Sequence, residues 1–164
     1  MARHIFYALD YAADRNRVSP VLRSHAIDAN AEATEPEWAK LKRSGDFAIQ
    51  RWIEQQLKGR SCTIVLIGAH TGERPWVQYE IKRSRQLKLA LLGIHVHNLL
   101  DAQGQPSSEG ENPFEHPECG LGSSGALVPV YDPPEIESQR VFRHITDNLA
   151  QWADEAVNAR RHWQ

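Results

Sequence analysis

A chain of 164 residues, with 19 lysines and arginines against 21 aspartates and glutamates for a formal charge of −2, has the size of one domain with a full core. Its charge is too balanced for nucleic acid or an anionic membrane to be the predicted partner, and its two cysteines, Cys62 and Cys119, give no disulfide framework and fit a reducing compartment. No apolar stretch approaches membrane-spanning length and residues 1–10 carry no signal-peptide core, so the expectation is a single cytoplasmic domain over residues 1–164.

The apolar run at 5–9, ended by Asp10, predicts a first strand, and 12–22 a first helix. Residues 25–28 read as a short, poor second strand, and the polar stretch that follows to Ser44, containing Trp38, is the hardest to assign. Asp46 is a candidate cap for the next helix, on which Ile49, Trp52, Ile53 and Leu57 share a face and Gly59 supplies a left-handed stop. The β-branched run 62–67, ended by Gly68, predicts a strand buried on both faces, with Cys62 as an inert small hydrophobe within it. A helix beginning near Pro75 is expected to bury Val77, Ile81 and Leu87, to turn Gln78 and Lys82 outward and to hold Glu80 near the rim. The next strand is predicted at 89–95. Residues 98–125, rich in Gly, Ser, Pro and acids, are too long for an ordinary connection and are expected over the carboxyl edge of the sheet as a functional or mobile segment. A strand at 126–131 and a helix at 135–159, striped by Val141, Ile145, Leu149, Trp152 and Ala156, complete the chain. Strands alternating with helices predict an α/β fold around a mostly parallel sheet.

Trp76 and Glu80 stand at i and i+4, so one helix face presents an aromatic ring and a carboxylate where parallel sheets form ligand crevices. A helix glutamate is ordinarily a solvated one, and a lone tryptophan is more often a core or lid aromatic than a stacking platform. Context favours Glu80 as the candidate catalytic residue, because Gly68 and His70 after one strand, and Leu9, Asp10 and Tyr11 at the end of another, are expected at the same rim. With Trp76 they form the candidate substrate-binding set. His95, His97, His116 and Cys119 lack the C-x-x-C or H-x-x-x-H spacing of a zinc site, and no metal is predicted. No phosphate loop opens a helix, and Gly120-Leu-Gly-Ser-Ser-Gly125 has only the bare glycine spacing of a dinucleotide motif. A receiver domain fails too, since the third strand ends Ile67-Gly-Ala-His70 with no acceptor aspartate and the last ends Val130-Tyr-Asp-Pro-Pro134 with no lysine.

Taken together, Ile5-Phe-Tyr-Ala-Leu-Asp-Tyr11 with Asp14 and Arg17, Gly45-Asp-Phe-Ala-Ile49 with Trp52-Ile53, Val65-Leu-Ile-Gly68, Trp76-Val-Gln-Tyr-Glu-Ile81, Leu92-Gly-Ile94 with His97-Asn98, and Asn112-Pro-Phe114 resemble the TIR-like domains of the bacterial Thoeris antiphage ThsB type. The blocks spread over most of the chain, and Trp-Val-x-x-Glu-Ile after a Val-Leu-Ile-Gly strand is the specific one. The resemblance implies a three-layer flavodoxin-like domain with a central five-stranded sheet. It also implies that the protein splits NAD as substrate, with no separate cofactor, that Glu80 is required and Trp76 lines the nicotinamide side, and that a cyclic or substituted ADP-ribose signal goes to a downstream effector. Like copies of the chain are the implied partners in an active assembly, and residues 30–44 fall where the family has a mobile loop. The chain departs from the family at Ala8 and Asp10, where a small hydroxyl residue and often a basic or histidine residue are usual. An acid facing the pyrophosphate would repel it, so Asp10 points away, binds the ribose, or marks a different acceptor. The alternative function is a non-catalytic TIR-like adaptor, and a third reading is a nucleoside deoxyribosyltransferase-like enzyme with a glutamate nucleophile.

Overall fold

The run of Cys, Thr, Ile, Val, Leu and Ile forms β3 (Cys62–Ile67), every residue of which is buried, as its unbroken apolar character requires of a strand covered on both faces. In this computed structural model, which describes residues 4–24, 27–29 and 35–160, it lies at the centre of a five-stranded sheet. The other strands are β1 (His4–Leu9), β2 (Asp28–Ala29), β4 (Ala90–His95) and β5 (Val130–Tyr131), in the order β2-β1-β3-β4-β5. All four neighbouring pairs are parallel, with Leu9 opposite Leu66 and Ile67 opposite His95 at the carboxyl ends. This is the flavodoxin-like order, whose direction reverses between β1 and β3.

The helices are α1 (Tyr11–Arg23), α2 (Glu35–Ser44), α3 (Asp46–Leu57), α4 (Pro75–Gln86) and α5 (Ser138–Ala159). Side chains alternate along β1, so Ile5 and Tyr7 enter one apolar cluster with Val18 and Val21 of α1 and the α5 stripe, while Phe6 and Ala8 enter another with Ile49 and Ile53 of α3 and Val77 and Ile81 of α4. The result is three layers. Among the described residues no helix is long and apolar enough to cross a membrane.

Several local expectations change. The second strand lies at Asp28–Ala29 instead of 25–28, paired with His4 and Ile5; residues 25 and 26 lie outside the described residues. Much of the polar stretch to Ser44 is helical, because Trp38 and Leu41 of α2 pack on the second cluster. Gly45, with φ of +94°, is the N-cap of α3, and Asp46 instead sits in the first turn, where its charge meets the positive end of the helix dipole. Leu87 is 39 % exposed at the end of α4, because that helix stops before the residue can turn inward. The last strand is only Val130–Tyr131, since Gly122–Leu127 winds into a 3-10 turn in which a side chain at Gly125 would strike the Phe114 backbone. The final helix starts at Ser138, where Glu137 caps it by accepting from Gln139 N.

The long connection does cover the carboxyl edge. Arg17 of α1 donates through Nη1 to the carbonyls of Leu99 and Gln105, and Phe114 is buried in the second cluster. Gly110 packs so closely on the Gly68 carbonyl that a Cβ there would overlap it.

Candidate active site

Two segments leave the carboxyl ends of β1 and β3, on either side of the point where the strand order reverses, and a cavity of about 300 Å³ opens between them. Leu9, Asp10, Tyr11 and Ala12 line it from the end of β1 and the start of α1, and Arg74, Pro75, Trp76, Val77 and Glu80 line it from α4. Trp38 and Lys42 of α2 and Trp52 of α3 close another part of its wall. Leu9, Asp10, Tyr11, Trp76 and Glu80 of the predicted set are thus brought together. Gly68 and His70 are not among the lining residues: Gly68 packs against the Asp14 carboxylate, leaving no room for a Cβ, and His70 faces a separate depression of about 450 Å³ with Glu73, Glu111 and Asn112.

Pro75 at the first helical position starts α4 with its φ already set, and the i, i+4 spacing then carries Trp76 and Glu80 to the same cavity. The helix is held on two sides. Ser84 Oγ donates to the Glu80 carbonyl at 2.6 Å and, with its proton so used, accepts from Thr63 Oγ1 of β3 at 2.7 Å. Tyr79 OH and Arg83 Nε donate to the Glu54 carboxylate of α3 at 3.0 Å and 2.7 Å. Trp76 meets Tyr79 edge to face, with ring centroids 5.8 Å apart.

Glu80 is only 8 % exposed, so it is buried, not perched at the rim as its helix position alone predicts. Among the described residues none hydrogen-bonds or ion-pairs with its carboxyl group, and burial by itself pushes its pKa well above the ordinary glutamate value. A partnerless buried carboxyl costs stability, and it is tolerated here where aromatic walls surround a cavity able to take a ligand.

Asp10 resolves differently from a free acid at the mouth. It is 4 % exposed, accepts from Ala13 N at 3.4 Å as the cap of α1, and takes Arg74 Nε on its other oxygen at 2.8 Å. Ala8 is buried in the second cluster and contributes packing.

The profile of the Thoeris protein ThsB, TIR-like domain, matches residues 6–101, which hold both β1 and the whole of α4. The chain belongs to that family. Among curated relatives it is 31 % identical over 137 residues, 80 % of this chain and 71 % of the other, to the candidate cyclic ADP-D-ribose synthase ThsB1 of Bacillus cereus (strain MSX-D12). As a ThsB TIR-like domain it has the expected α/β fold, and the matched region ends near Asp101, so most of the long connection and α5 lie outside it.

Trp38, Lys42, Trp52 and Arg74 are cavity residues that were not in the predicted set. Trp52 was visible on the α3 stripe as an aromatic among aliphatics. The spacing of Trp38 and Lys42, one helical turn apart, was a signal hidden by the polarity of the segment around them.

Proposed function

We propose that this protein breaks the N-glycosidic bond of NAD at Glu80, releases nicotinamide, and forms a cyclic or substituted ADP-ribose signal in antiphage defence. The observation that carries this reading is the Glu80 carboxyl, buried and without a partner among the described residues, in a cavity lined by Tyr11, Trp38, Trp52 and Trp76. Membership of the ThsB TIR-like family and the name of the Bacillus cereus relative support it.

The chemistry suits a lone carboxylate. The electron pair of the C–N bond leaves with nicotinamide, which departs as a neutral molecule from a cationic ring and needs no strong acid. The ribose left behind develops oxocarbenium character, which a nearby negative charge stabilises best in a water-poor site. Burial favours the protonated acid; a bound pyridinium brings positive charge within reach and favours its ionised form. An acceptor then donates a lone pair to the ribose carbon, and where that acceptor is water or a hydroxyl its proton passes to solvent or back to Glu80. Trp76 supplies a face for the nicotinamide ring. Like copies of the chain assemble to complete the active form in the cytoplasm, and a separate effector senses the product.

Purified protein incubated with NAD, with and without lysate from phage-infected cells, tests the reading by mass spectrometry. Nicotinamide together with an ADP-ribose derivative is the expected result. Intact NAD under every condition, from folded protein that associates with like copies, would point to an adaptor instead.

A further inference from the structure

Arg74 joins the cavity in an unusual state. Its Nε is held by Asp10 at 2.8 Å, yet its side chain is 48 % exposed, and among the described residues neither of its Nη groups has a partner. The guanidinium is therefore anchored on one side and offers a planar pair of N–H₂ groups on the other, the geometry that receives a phosphate in bidentate fashion. Asp10 and Arg74 are also the N-cap residues of α1 and α4, helices of 13 and 12 residues, so both positive helix ends begin beside this pair. Lys42 lines the same cavity and adds a second cation.

We propose that Arg74 binds the diphosphate of the substrate and that Asp10 is a positioning residue which fixes the guanidinium for that contact. The acid that would repel an anion from position 10 is consumed by the cap and by Arg74, so the surface it presents to the ligand is the cation. Holding the side chain in advance also lowers the rotamer entropy lost on binding. The identity of the anion as a dinucleotide diphosphate rests on the NAD reading; the anion site itself rests on the geometry of Arg74.

Two measurements on the intact chain test this. Calorimetric titration with ADP-ribose should show Arg74→Ala binding roughly ten- to a hundredfold more weakly than the parent, in line with the loss of charge-assisted hydrogen bonds, with Arg74→Lys recovering part of the loss. Asp10→Asn keeps a good helix cap and should weaken binding by a smaller factor. In the second measurement, the preference of the parent for NAD over nicotinamide riboside, which lacks the diphosphate, should fall by a similar factor in Arg74→Ala, through KM. Parent and Arg74→Ala proteins that bind ADP-ribose equally, or a parent that does not bind it, would overturn the assignment. A parent that binds ADP-ribose through Arg74 yet leaves NAD intact would uphold the anion site and defeat the NAD-cleavage reading. NAD cleavage with a KM indifferent to Arg74→Ala would do the opposite.

Discussion

Asp14 and Glu80 are both buried acids at the carboxyl edge of this sheet, and they differ in what surrounds them. Asp14, 2 % exposed, takes Arg17 Nε at 3.1 Å, and that arginine also ties down the Leu99 and Gln105 carbonyls. Glu80, 8 % exposed, has no such partner among the described residues and faces a cavity. Burial pushes both carboxyls above their ordinary pKa, but at Asp14 the hydrogen bond and charge of Arg17 oppose the shift, whereas at Glu80 no group among the described residues does. A buried acid with its cation holds a chain segment in place, and one left without a cation beside a cavity is available to a cationic ligand. Burial or a raised pKa alone would not have separated them.

Arg17→Met is the strongest way to break the contrast, because it turns Asp14 into a second unpartnered acid and frees the connection after β4. Urea unfolding should show a loss of about 3–5 kcal/mol, the usual cost of removing one partner of a buried pair. A loss below about 1 kcal/mol would mean that Asp14 is not held as described. Trp76→Ala acts on the other acid's cavity: kcat/KM for nicotinamide release should fall roughly thirtyfold, about 2 kcal/mol, through loss of the aromatic face. An unchanged value would remove Trp76 from the site.

The pH dependence of stability sharpens the comparison further. Folded Glu80 keeps its proton to higher pH than the unfolded chain does, so its contribution is full below the ordinary glutamate pKa and is lost as pH rises through the raised folded value. Glu80→Gln removes this term. The stability advantage of that variant over the parent should therefore widen from pH 4.5 upward, by at most about 1.4 kcal/mol per pH unit. Parallel curves would show that Glu80 is not buried in solution. The smallest effect is expected at His70, which faces the other depression and pairs with Glu73 at 3.1 Å. His70→Ala should keep nicotinamide release within about twofold of the parent, and a tenfold loss would bring the second depression into the site.

The central strands were legible in the sequence because an unbroken apolar run between turn residues has few other uses, and β3 falls at 62–67 as the run predicts. The start of α4 at Pro75 was equally plain. The edge elements were less so, since β2 and β5 are two residues each and depend on pairing with β1 and β4, which no local pattern encodes. In the site, the spacing of Trp76 and Glu80 revealed the shared face but not the burial, which depends on tertiary packing that no local pattern encodes. Asp10 read as a misplaced charge because its partner, Arg74, lies 64 residues away in sequence.

Glu80 is the decisive residue, and the most direct test compares the parent with Glu80→Gln for nicotinamide release from NAD, alongside a thermal melt of each. Glutamine keeps the size of the side chain and removes the charge. Release should fall about a thousandfold or more, on the order of 4 kcal/mol of transition-state stabilisation, with a melting temperature at or above that of the parent. Release at the parent rate from the folded variant would contradict it.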